Sequence, residues 1–91
     1  MSLDLDCKKF VWNSYLYYAE DNPCITDGEF DKLAVHLKDS WDKLPGWFTR
    51  RVPYADLEAG TGCSLHYSDE EIEAAIAYWE GIMDKPYVGV H

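Results

Sequence analysis

Ninety-one residues, 47% of them hydrophobic, suffice for one modest core and fall short of two domains. Eight basic against 17 acidic residues leave a formal charge of -9, which excludes a nucleic acid or an anionic membrane held on a broad basic surface. Four Trp, seven Tyr and three Phe serve equally as core area or as stacking walls for a planar ligand, and composition leaves both uses open.

The expected class is all-α: an antiparallel helical hairpin plus a third helix, in one small domain. Phe10, Trp12, Tyr15, Leu16 and Ala19 recur at three- and four-residue steps and predict a first helix over about residues 6–19, with Tyr17 and Tyr18 beside the stripe. Glu20-Asp21-Asn22-Pro23 stops it, because proline cannot continue a helix. Thr26 and Glu29 have capping-box spacing, and Asp27 and Glu29 put negative charge at the positive end of a second helix. Phe30, Leu33, Ala34, Leu37 and Trp41 form its stripe, and the short connection pairs the two helices as a hairpin over residues 6–41.

Residues 42–67 read as a loop punctuated by Pro45, Gly46 and Pro53 and packed down by Trp47 and Phe48. Within it, residues 54–59 suit a short helical turn closed by Gly60-Thr61-Gly62. Ser68 and Glu71 make a second capping box, which opens a third helix over residues 68–83 with Ile72, Ala75, Ile76, Trp79 and Ile82 inward. Residues 84–91 are expected to fray.

Cys7, Cys24 and Cys63 are odd in number and form no C-x-x-C, which predicts free thiols in a reducing cytoplasm, a host's if the source is viral. No apolar run is long enough for a membrane span, and the first residues lack the pattern of a signal peptide. His36 and His66 are not spaced as metal ligands, so no metal site is expected. Cys63 with His66 is weak as a nucleophile pair. Gly60-Thr61-Gly62 is either a plain turn or a phosphate-facing backbone, and the adjacent arginines Arg50 and Arg51 are either an anion clamp or a solvated pair.

The most informative stretch is Tyr17-Tyr18-Ala19-Glu20-Asp21-Asn22-Pro23-Cys24-Ile25-Thr26-Asp27-Gly28-Glu29-Phe30-Asp31-Lys32-Leu33. It resembles the N-terminal helical subdomain of NAD-dependent DNA ligases, with its aromatic pair, a D-x-P loop, and I-x-D-x-E-Tyr/Phe-D-x-L. The likeness covers about residues 10–41. Residues 41–79 look like small phage and actinobacterial proteins described only as ligase-related.

The resemblance implies a grip on the nicotinamide mononucleotide half of NAD. Tyr17 would face the nicotinamide with Tyr18 next to it, and Asp27 would stand at the head of the second helix. Phe30 occupies the motif's usual tyrosine position, without the hydroxyl and any hydrogen bond it makes, and Asp31 is the acid after it. Chemistry agrees, since a cationic ring favours aromatic faces and carboxylates, and ribose hydroxyls favour carboxylate acceptors. Arg50, Arg51, Lys32 and Lys43 are the candidate phosphate donors.

The family adenylates the lysine of a K-x-D-G motif, and no K-x-D-G occurs here. The expectation is therefore a non-enzymatic binder of NAD, nicotinamide mononucleotide or an ADP-ribose derivative, with the nucleotide as ligand and no catalytic cofactor. A phage protein that sequesters NAD-derived defence signals would have this form. The rival is a protein-interaction module that has lost the ligand and anchors a host enzyme or a separate ligase core through Trp12, Trp41, Trp47 and Trp79. A hydrolase using Asp27 or Asp31 is a third alternative. A homo-oligomer with a shared site also stays open.

Overall fold

In the computed structural model, residues 3–59 and 67–87 are described. The readings on Gly60-Thr61-Gly62, Cys63, His66 and residues 88–91 lie outside them. Helix α1 (Leu3–Ser14) continues directly into a π-helical turn, Tyr15–Ala19. Helix α2 (Asp27–Asp39) comes next, then a 3-10 turn (Trp41–Lys43), α3 (Gly46–Thr49), α4 (Tyr54–Ala59) and α5 (Asp69–Met83). The protein is all-α, with no strand among the described residues.

Both capping boxes form. The Thr26 hydroxyl accepts from the Glu29 N–H while the Glu29 carboxylate accepts from the Thr26 N–H, and Ser68 and Glu71 repeat the exchange. Each satisfies helix-end donors that would otherwise need water, which is why α2 and α5 begin where the sequence predicts.

Helix α1 is central, packing on α2 along one side and α5 along another, while α4 closes on α2. Its inward stripe is Cys7, Phe10, Val11 and Ser14, with the Ser14 hydroxyl donating to the Phe10 carbonyl at 2.8 Å. Burial first, then the charges of Asp4 and Asp6, pushes the Cys7 thiol up to about 12.

Four expectations are corrected. Helix α1 starts at Leu3 rather than near Asp6, and Asp6 is buried with an oxygen 3.2 Å from His36 Nε2. Ala19 leaves the stripe and is exposed, because the π turn adds a residue to the last turn and rotates the positions beyond it. The segment after α2 forms the expected helical turn over 54–59 as α4 and packs down through Phe48 as expected, but it is not otherwise a plain loop, since it also carries α3 and sinks Val52 and Leu57 in the core. On α5, Ala75 and Trp79 are buried, whereas Ile76 is half-buried and Ile82 is 47% exposed.

Candidate functional site

The site begins with the π turn. The Glu20 N–H reaches back to the Tyr15 carbonyl (3.1 Å) and the Asn22 N–H to the Leu16 carbonyl (2.8 Å). Asp21, at φ 50°, then turns the chain toward α2. Widened helical turns of this kind recur at functional sites, since they re-aim side chains that a regular helix would bury. Here Tyr15 and Leu16 stay inward, Tyr17 is half-buried and Tyr18 is 37% exposed.

Tyr17, Tyr18 and Phe30 form a three-ring cluster. The two tyrosine rings meet edge to face at 4.9 Å. Tyr17 lies parallel to Phe30 at 6.2 Å, and Tyr18 meets it at 6.4 Å and 73°. Phe30 is 6% exposed and stacks on Phe10 at 5.1 Å, so it belongs to the core and supports the tyrosines from within.

Asp27 stands at the first turn of α2. Its carboxylate accepts from the Tyr17 hydroxyl, and that bond, followed by the Asp27 charge, raises the Tyr17 phenol above its ordinary value. Asp31, one turn further along α2, is exposed on the same helix face as Asp27. Thus Tyr17 joins Tyr18 and Phe30 in one ring cluster and meets Asp27 at the head of α2, with Asp31 one helical turn further on.

The arginines stand apart. Arg51 is bound through Nη1 to the Glu71 carboxylate at the head of α5. One guanidinium nitrogen is therefore already committed to a carboxylate, so Arg51 is not simply a solvated residue. Burial alone would raise the Glu71 carboxyl, but the Arg51 bond and the Ser68 N–H outweigh it and hold the group below the usual range. Arg50, at the end of α3, is exposed. Glu71 lines a cavity with Lys8 and Trp12, and the helical rise puts that stretch of α1 roughly 9–15 Å from Tyr18.

Behind the tyrosines sits a buried polar cluster that the sequence concealed. Glu20 is 4% exposed and accepts from the Tyr87 hydroxyl at 2.9 Å. Burial first, then Glu20, raises the phenols of Tyr15 and Tyr87. The Tyr87 ring packs edge-on against Trp79 at 5.0 Å, so residues 84–87 of the expected frayed tail dock onto α5. Glu20 sits in a helix-stop sequence, and nothing local marks it for burial. Among the described residues, no group of three His, Cys, Asp or Glu is placed to hold a metal, and no helix is long and apolar enough to cross a membrane.

Comparison with known proteins gives one informative result. Over 46 residues, 50% of this chain, it is 41% identical to a DNA ligase of Halothermothrix orenii (strain H 168). That segment spans 7% of the ligase. Half of the chain thus resembles a small part of a DNA ligase. No family model matches the chain, and no solved structure matches it.

Proposed function

We propose that the chain binds an NAD-type nucleotide (NAD, nicotinamide mononucleotide or an ADP-ribose derivative) at the Tyr17–Asp27 patch and does no chemistry on it. The observation that carries this reading is a partly exposed tyrosine pair over an aromatic support, in which Tyr17 meets a carboxylate at a helix head. The Tyr18 ring offers a face to a planar cationic base. Asp27 orients Tyr17 with one bond and keeps acceptor capacity for a ribose hydroxyl, as does Asp31. With Arg51 bound to Glu71, Lys32, exposed next to Asp31 on α2, is a candidate donor to a phosphate.

The ligase likeness supports the nucleotide class, and the likeness of residues 41–79 to phage proteins motivates a sequestering role against NAD-derived defence signals. Isothermal titration with a panel of NAD-type nucleotides tests it. A Kd in the micromolar range or tighter is expected, lost in Tyr17→Ala and in Asp31→Ala while the melting temperature stays put. Silence across the panel would remove this reading and leave the exposed aromatic patch to a protein partner.

A further inference from the structure

The cavity that Glu71 lines lies away from the tyrosine patch, between α1, α3 and the head of α5. Its volume is about 320 Å³, at the small end of the range for small-molecule sites. Two indoles, Trp12 and Trp47, face it, and Val11 and Ala74 complete the apolar lining. Each indole packs against another ring. Trp12 packs on Tyr78 at 5.2 Å and Trp47 on Phe48 at 5.7 Å. Trp47 Nε1 also donates to Asp4 Oδ1 at 3.0 Å, which fixes the ring. Walls held in this way lose little freedom when a ligand enters.

The charges around the cavity cancel in pairs, with one exception. Lys8 Nζ sits 3.1 Å from Asp4 Oδ2, and Arg51 is bound to Glu71. Glu71 also accepts from the Ser68 N–H at 2.9 Å, completing the cap of α5. Asp69 and Glu71 already place negative charge at that helix end. Glu70 lines the cavity too, and among the described residues no partner claims its carboxylate. The site therefore holds two aromatic walls and one uncompensated negative charge.

We infer that this cavity binds a small organic cation of the quaternary ammonium class. An indole face attracts a cation through the ring quadrupole, and Glu70 supplies the counter-charge. An anion would meet Glu70 and find Lys8 and Arg51 already paired. A primary ammonium or a guanidinium could give one or two N–H groups to Glu70, but its other donors would face Trp12, Trp47, Val11 and Ala74, whose side chains offer no strong acceptor, and buried donors without acceptors are costly. A quaternary ammonium carries no N–H. The inference does not depend on the nucleotide reading.

The test uses choline, phosphocholine and the uncharged tert-butyl analogue of choline, titrated against the whole chain and monitored by tryptophan fluorescence and by the NMR signals of the indole N–H groups. Choline should give a saturable change, with the neutral analogue about tenfold weaker. Glu70→Gln should bring choline toward the analogue's affinity, and Ala74→Leu, which fills the cavity, should abolish both responses. Tighter binding of phosphocholine than of choline would point to an esterified headgroup, and the reverse to a free solute. The proposal is overturned if charged and neutral probes bind alike, if Glu70→Gln binds choline as the parent does, or if no probe saturates. Should Ala74→Leu fail to fold, exposed Glu70→Gln still decides. Saturating NAD should leave choline binding unchanged, so the two sites fail or stand separately.

Discussion

Two cores meet along α1, and they are held differently. The larger joins Cys7, Phe10 and Val11 of α1 to Phe30, Ala34 and Leu37 of α2 and to Phe48, Val52 and Leu57 beyond. Its members carry no buried carboxylate or hydroxyl, so it rests on area removed from water and on ring packing. The smaller joins Tyr15 and Leu16 to Ala75 and Trp79, and it includes the bond from Tyr87 to buried Glu20. Among the described residues, none serves as a hydrogen-bond partner for the buried Trp79 Nε1 there. The apolar core tolerates small shifts, because dispersion and hydrophobic burial have no direction. The polar one depends on individual bonds that are expensive to leave unmade. The tyrosine patch lies at their junction, with Phe30 behind it in one core and Tyr15, its neighbour on the π turn, in the other.

The comparison is tested most severely by Phe10→Ala. That ring stacks on Phe30 and meets Phe48 edge-on at 5.8 Å, so its loss should cost about 3–5 kcal/mol in a urea titration. A cost below about 1 kcal/mol would mean that the apolar core is not close-packed. In the polar core the telling change is Tyr87→Phe, which keeps the ring on Trp79 and removes only a hydroxyl. Taking that donor from buried Glu20 should cost about 1–3 kcal/mol. An unaffected midpoint would show that the second core, like the first, needs only area.

Smaller effects belong to the helix head that ties α5 to Arg51. Ser68→Ala should lower stability by about 1 kcal/mol through the lost cap. Glu71 is held below its ordinary value of 4.5, so its contribution is complete above that pH and is lost as pH falls through the lower folded value. Glu71→Gln should therefore flatten part of the acid side of the stability profile, and an unchanged profile would show that the Arg51 pair contributes nothing. The least costly substitution is Asp27→Asn. Stability should hardly change, while alkaline spectrophotometric titration should find the Tyr17 phenol ionising at lower pH than in the parent.

Much of the frame is legible in the residues alone. The capping boxes at Thr26 and Ser68 can be placed to the residue, because a cap is an exchange of bonds within four residues and needs no distant partner. The stripe of α2 is legible for the same reason of period, and Phe30, Ala34 and Leu37 are buried as it predicts. Within the candidate site, the pairing of Tyr17 with Asp27 comes from a helix end meeting a helix start across a short turn. Arg51 escapes such reasoning, since its partner Glu71 is twenty residues away and nothing in the local sequence marks the pair.

By itself, then, the chain determined an all-α fold, the heads of α2 and α5, and the proximity of the aromatic pair to the acidic helix start. These depend on interactions between near neighbours, where residue type and spacing suffice. The tertiary structure alone decided the π turn that re-aims Tyr17 and Tyr18, the burial of Glu20 beneath Tyr87, and the cavity between Trp12 and Trp47. Each of these arises where segments far apart in sequence are pressed together, and there the cost of burying a charge or widening a helical turn is set by the neighbours that packing supplies.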